Sequence, residues 1–165
     1  MSDSERSIVM STRFRFVVRL AVALSWLVMQ WCAVAADYPT PGECPQPRLT
    51  RKAPPDIYAL INPLPANPTT LAAGQQLYRG KQGATACATC HGIKGDGKGV
   101  LASQFAPPPR NFACAQMMKS MPDGQLFWIV RNGSPGTAMP AANAFGKFTD
   151  ENIWQIVAYL RTFPR

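Results

Sequence analysis

Cys87-Ala88-Thr89-Cys90-His91 constrains this chain more than any other stretch. Two thiols three positions apart suit a zinc knuckle, a redox dithiol or a disulfide staple, and with a histidine directly behind them they suit c-type haem attachment. Zinc needs four ligands, and no second paired cluster exists, because Cys44 and Cys114 stand far apart and alone. A thioredoxin-like dithiol belongs at a helix start after a strand, inside a βαβ pattern that this sequence lacks. Haem attachment accounts for all three side chains. Each cysteine adds to one of two vinyl groups on one porphyrin edge, and the next residue is placed to ligate iron through its imidazole. His91 is the chain's only histidine, so a second imidazole cannot serve as the other axial ligand.

The 165 residues suffice for one domain with appendages. Arg13, Arg15 and Arg19 precede an uncharged apolar run from Leu20 to Ala36 that closes on Ala33-Val34-Ala35, a small-x-small cleavage pattern. Residues 1–36 therefore read as a secretory signal, cut after Ala35 or Ala36. The alternative is an uncleaved anchor, for which the 17-residue run is at the short limit of a membrane span. The acidic opening from Ser2 to Ile8 is unusual for a signal and makes Met10 a second candidate start. No lipobox-like set of small residues precedes Cys32.

Export to the periplasm suits covalent haem attachment and an oxidising compartment that permits disulfides. Without the leader four cysteines remain, two for haem and the pair Cys44 and Cys114. That even remainder suggests a bridge, with two buried free thiols as the alternative. Closing the 70-residue span between them contributes roughly 4 kcal/mol in the chain-entropy model. Beyond residue 36 there are 13 Lys and Arg against 7 Asp and Glu, a net +6, which two haem propionates reduce to about +4. The basic residues are scattered, which argues against a nucleic-acid face and for steering towards acidic partners.

Residues 37–69 form a proline-rich extension, with prolines at 39, 41, 45, 47, 54, 55, 63, 65 and 68. No long helix or central strand can form there, which leaves a flexible leader or an extended strap, and Cys44 favours the strap. Ile57, Tyr58, Leu60 and Ile61 suit one short helical turn. The domain proper spans residues 70–165. Its first helix is expected from Thr70 to about Gly80, with Leu71, Gly74 and Tyr78 on one face. Glycine costs a helix about 1 kcal/mol, so Gly74 suggests close approach by another helix. A second helix is expected from Pro122 to Asn132, stopped by Gly133, with Trp128 a candidate to reach the haem pocket. The last is expected from Asp150 to Thr162, capped by Thr149, with Ile153, Ile156, Val157, Leu160 and Phe163 as its buried stripe. No strand pattern, repeat or low-complexity tract is present, so the class is all-α.

Gly92-Ile93-Lys94-Gly95-Asp96-Gly97-Lys98-Gly99 meets most of a phosphate-loop pattern. It has no Ser or Thr after Lys98 and no strand before it, so a tight loop passing over the haem edge is the better reading. Pro107-Pro108-Pro109-Arg110 is a rigid segment whose carbonyls are free to accept a hydrogen bond from His91, and Arg110 is a candidate propionate partner. For the second axial position the candidates are Met117, Met118, Met121, Met139 or a lysine. Met139 has the best context, 48 residues after His91, in a Gly/Pro-broken loop and followed by Pro140.

Over residues 70–165 the chain resembles the class I cytochromes c, with one haem ligated by histidine and methionine. Gly74 and Tyr78, Cys87-x-x-Cys90-His91-Gly92, Met139-Pro140 and Ala158-Tyr159-Leu160 carry the likeness. The resemblance implies a small all-α fold of three to five helices wrapped around one covalent haem c, its first and last helices crossing at Gly74 and an aromatic such as Tyr159. It also implies Cys87 and Cys90 as thioether residues, with His91 and Met139 as iron ligands. A doubly ligated iron leaves outer-sphere electron transfer with redox protein partners, whether another cytochrome, an oxidase, a reductase or a dehydrogenase, and Lys81, Lys94 and Lys98 are placed to steer them. The alternatives are the electron-transfer subunit of a larger oxidoreductase complex and a haem enzyme or sensor with a displaceable sixth ligand. The extension and the Cys44/Cys114 pair depart from the minimal pattern.

Overall fold

In a computed structural model residues 38–47, 50–80 and 86–164 are described. The leader expected over 1–36 and Lys81 lie outside them. The described residues form helices and turns without a strand, the all-α class expected. In chain order the helices are α1 (Pro55–Tyr58), α2 (Pro68–Arg79), α3 (Cys87–His91), α4 (Ala115–Lys119), α5 (Asp123–Asn132) and α6 (Asp150–Leu160), with 3₁₀ turns at Ala102–Gln104 and Ala142–Phe145. Among the described residues none is long and apolar enough to cross a membrane. Three are the helices read from periodicity; the other three are single turns of four or five residues.

Helix α2 starts two residues before the expected Thr70. Asn67 Oδ1 accepts the Thr70 N–H at 2.9 Å, and Pro68 occupies the first turn, where a missing N–H costs nothing. At α6, Thr149 Oγ1 accepts from the Asn152 N–H at 3.2 Å while Asn152 Oδ1 accepts from the Thr149 N–H at 3.1 Å, and Asp150 and Glu151 complement the dipole. The stripe Ile153, Ile156, Val157, Leu160 and Phe163 is buried throughout.

The largest helix contact is that of α2 with α6. It is possible because position 74 has no side chain. A Cβ there would lie 2.7 Å from the Gln155 carbonyl carbon, 2.9 Å from Tyr159 Cβ, and closer still to Gln155 O. The crossing expected at Gly74 and Tyr159 is thus present. Tyr78, Tyr159 and Phe163 cluster beside it with ring centroids 4.9–5.5 Å apart. Helix α5 completes the core by stacking Phe127 on Trp154 at 4.2 Å.

Of the two readings of the extension, the strap is the one observed. The Cys44–Cys114 disulfide is formed. Helix α1 lies against α5, where a Cβ on Gly124 would meet the Ile57 and Tyr58 carbonyl oxygens. Asn62 Nδ2 donates to Trp154 O at 2.9 Å, and Gln125, almost wholly buried, holds Ala53 N–H and Arg51 O at 2.8 and 3.0 Å.

Candidate haem site

The pentapeptide is itself a helix, α3. Residues 87, 90 and 91 stand at i, i+3 and i+4, so one turn gathers both thiols and the imidazole on one face. Thr89 Oγ1 accepts the Ala86 N–H at 3.3 Å to start the turn. A five-residue helix leaves its last carbonyls without intrahelical partners, and three donors from the glycine-rich loop, with Leu101 just beyond it, satisfy four of them. Ala88 O accepts from Gly92 N, Thr89 O from Leu101 N, Cys90 O from Gly99 N and His91 O from Gly97 N, at 2.9–3.1 Å. Gly92 turns the chain at φ +80°, and a Cβ on Gly99 would lie 2.5 Å from the Cys90 carbonyl.

This corrects the sequence reading of that loop. Its glycines cap α3, and among the described residues none of 92–99 lines the cavity described next. Lys94 and Lys98 are exposed on it, the Lys98 stem lying against Gly42 of the strap.

Cys87, Cys90, His91 and Met139 all line one apolar cavity, whose empty space is about 1340 Å³ with its open mouth included. Tyr78, Phe112, Leu126, Val130, Ile156 and Leu160 form its inner wall. Met121 lines it as well, whereas Met117 and Met118 are buried in α4 outside it. Trp128 is half-buried and does not reach it.

Two contacts hold the His91 ring. Its Nδ1 lies 3.0 Å from Arg110 O, and a carbonyl only accepts, so Nδ1 carries the proton and Nε2 the free lone pair. The ring stacks on Phe112 with centroids 4.6 Å apart. Burial, the largest effect, lowers its pKa to about 4; the Arg110 carbonyl opposes that and the Arg110 charge adds to it. The imidazole is therefore neutral at physiological pH, the form that binds metal.

Burial also raises the Cys87 thiol to about 11 and raises Cys90. Neither has the low pKa of a catalytic thiolate. The acceptor expected in the 107–110 segment is thus present, in Arg110. The Arg110 guanidinium, the candidate propionate partner, lines the same cavity and donates through Nη1 to the strap carbonyls of Gln46 and Pro47 at 3.2 and 3.3 Å.

Met139 sits in the loop after α5. Its backbone N–H reaches Thr137 Oγ1 at 3.2 Å and its carbonyl accepts from Ser134 N at 3.0 Å. The buried Ser134 Oγ on the same wall has no hydrogen-bond partner. A buried hydroxyl without a partner costs about 1–3 kcal/mol, which polar atoms on the rim of a bound haem would recover. The apolar walls, paired thiols, neutral imidazole and methionine thioether form a donor set that fits haem.

The family model for cytochrome c matches residues 71–164. A search of curated proteins finds no match. Among solved structures the chain is similar to one from a Kuenenia stuttgartiensis reducing HAO-like protein complex, at 24% identity and a TM-score of 0.52, covering 66% of this chain and 49% of that one. That likeness concerns the fold, and this chain spans about half of its neighbour's length. The family match takes in more than half of the sequence, including α3 and Met139, and on that ground the chain belongs to the cytochrome c family, whose chemistry is haem-based electron transfer.

Proposed function

We propose that the chain is an exported, periplasmic carrier of one electron at a single haem c, passing it between respiratory or dehydrogenase partners. The observation that carries this reading is the convergence of Cys87, Cys90, His91 and Met139 on one apolar cavity. Cys87 and Cys90 would hold a haem through two thioethers, and His91 Nε2 and Met139 Sδ are the atoms that would ligate its iron. When bound, haem c supplies a one-electron iron couple, and a methionine ligand raises its potential relative to histidine. The chain's residues keep that couple dry: the apolar wall excludes water, and Arg110 O fixes the His91 ring. The leader and the Cys44–Cys114 bridge both support an oxidising, extracytoplasmic location.

The test is an optical spectrum of the purified protein, oxidised and reduced, with and without carbon monoxide. A c-type spectrum that carbon monoxide leaves unchanged is expected. Binding of carbon monoxide without denaturation instead supports an enzyme or sensor with a displaceable ligand. The sulfur-to-iron charge-transfer band should vanish in Met139→Ala and persist in Met121→Ala; its survival in the first makes Met121, the other methionine on the wall, the ligand. A second reading, the electron-transfer subunit of a larger complex, is favoured by the fold shared with a subunit of a redox complex. Co-purification of a partner chain decides for it.

A further inference from the structure

The strap departs from the minimal family pattern, yet it reaches within one residue of the group that holds His91. Gln46 is 8% exposed, and its amide straddles Arg110. Nε2 donates to Pro109 O at 3.1 Å, and Oε1 accepts from the Asn111 N–H at 2.8 Å. The Gln46 carbonyl in turn accepts from Arg110 Nη1 at 3.2 Å. Residue 110, whose carbonyl accepts the hydrogen bond from His91 Nδ1–H, is thus gripped on both flanking peptides and by its own side chain. Asn111 Nδ2 adds a bond to Gly42 O at 2.8 Å, and the disulfide fixes the strap two residues before Gln46.

We infer that Gln46 is a positioning residue for the proximal ligand: through Pro109 and Asn111 it sets the Arg110 carbonyl against His91 Nδ1, so that the strap tunes the electron density on the His91 ring. The inference rests on the proposal that His91 ligates haem iron. Hydrogen bonding at the outer nitrogen raises the basicity of a ligating imidazole, and a more basic ligand favours the oxidised metal. Loosening the Arg110 carbonyl therefore weakens the bond and moves the couple towards the reduced state. Direct outer partners of metal ligands change properties about 10–100-fold. Gln46 acts one step further out, so about a threefold change in the reduced-to-oxidised ratio at fixed ambient potential is expected, close to 30 mV at 59 mV per decade.

The experiment is redox titration of the full haem-loaded chain as wild type, Gln46→Met, Gln46→Asn and Asn62→Ala, with hydrogen exchange of the His91 Nδ1–H followed by NMR in each. Gln46→Met keeps the stem but makes neither amide bond; Gln46→Asn is one methylene short and keeps at most one. Asn62→Ala loosens the same extension at Trp154 O, far in sequence from Arg110. Expected are a threefold shift towards the reduced form with faster Nδ1–H exchange in Gln46→Met, a smaller shift in Gln46→Asn, and neither in Asn62→Ala. If Gln46→Met does not accumulate, a shift in Gln46→Asn carries the inference and its absence overturns it. Wild-type potential and exchange in a loaded Gln46→Met overturn it, leaving Gln46 as packing alone. Equal shifts in Asn62→Ala also overturn it. Failure of the underlying reading is separate: the wild type itself then lacks a c-type spectrum, or keeps it unchanged when His91 is replaced.

Discussion

Gly74→Ala tests the crossing that holds the first and last helices together. Alanine is the better helix former by about 1 kcal/mol, so on local grounds the change should stabilise α2. The packing says otherwise. The new methyl would sit 2.7 Å from the Gln155 carbonyl carbon and 2.9 Å from Tyr159 Cβ, where carbon contacts are about 3.5–4.0 Å. None of these atoms is the end of a flexible side chain, so the helices must part by roughly 1 Å, a gap that forfeits a quarter to a half of each contact across it. Overpacking costs about 1–3 kcal/mol, and this site belongs at the upper end because main chain must move. Subtracting the propensity gain leaves a net loss of about 2 kcal/mol. Urea unfolding of the haem-loaded protein reads it directly. Gly136→Ala is the comparison, at φ +87° with nothing within 4 Å of the added methyl; it costs about 1–2 kcal/mol of backbone strain and no crossing. A Gly74→Ala protein as stable as wild type would refute the close-packing account of the crossing.

Three further perturbations follow from the same geometry. Tyr78→Phe removes a buried hydroxyl that donates to Gly92 O at 2.7 Å, but that carbonyl keeps a second donor in Gly95 N at 3.0 Å, so the loss should be only about 1 kcal/mol in urea titration. Arg161→Met keeps the stem but gives up bonds from the guanidinium to Asp123 Oδ1, Met118 O and Met121 O at 2.6–2.7 Å; about 2–3 kcal/mol should be lost, and Arg161→Lys should recover little, since an ammonium lacks the planar fork. Burial places His91 near 4 in the folded chain against about 6.5 unfolded, so between those values the unfolded state binds a proton that the native state does not. Stability is fully present above pH 6.5 and falls as pH drops towards 4, by about 3 kcal/mol at most; a urea midpoint unchanged from pH 7 to 4.5 would sink that assignment.

Periodicity and cap chemistry made α2, α5 and α6 legible in the sequence, because their stripes and caps are local. The attachment pentapeptide was legible as chemistry. Its helix is harder to see, because a single turn of five residues has no period to repeat, although positions 87, 90 and 91 carry the i, i+3, i+4 spacing of one helical face. The glycine loop was misplaced for a related reason. Glycines announce close backbone approach without saying to what, and the answer, the carbonyls of Thr89, Cys90 and His91, lies in α3 itself. Least legible were Gln46, Asn62 and Gln125, which tie the extension down. They are polar residues whose partners lie 63, 92 and 74 positions away and follow no period. The tie from Arg110 to the strap is of the same kind, since its partners Gln46 and Pro47 lie more than 60 positions away.

Tyr78, Phe112, Leu126, Val130, Ile156 and Leu160 belong both to the packed core and to the wall of the cavity. Helices α2, α5 and α6 therefore do not close a core first and offer a separate pocket afterwards; the same side chains do both. An apolar group filling that space adds contacts to every one of them, and a ligand that binds the native state alone stabilises it by mass action. A group held covalently would be present in the folded and unfolded chain alike, so its contribution would come from burying its faces against these walls rather than from mass action. Between residues 86 and 122 the loops and single-turn helices reach that core mainly through Phe112 and Met118. The α3 cap, the strap hydrogen bonds to residues 109–111 and the Cys44–Cys114 disulfide hold the rest of that segment.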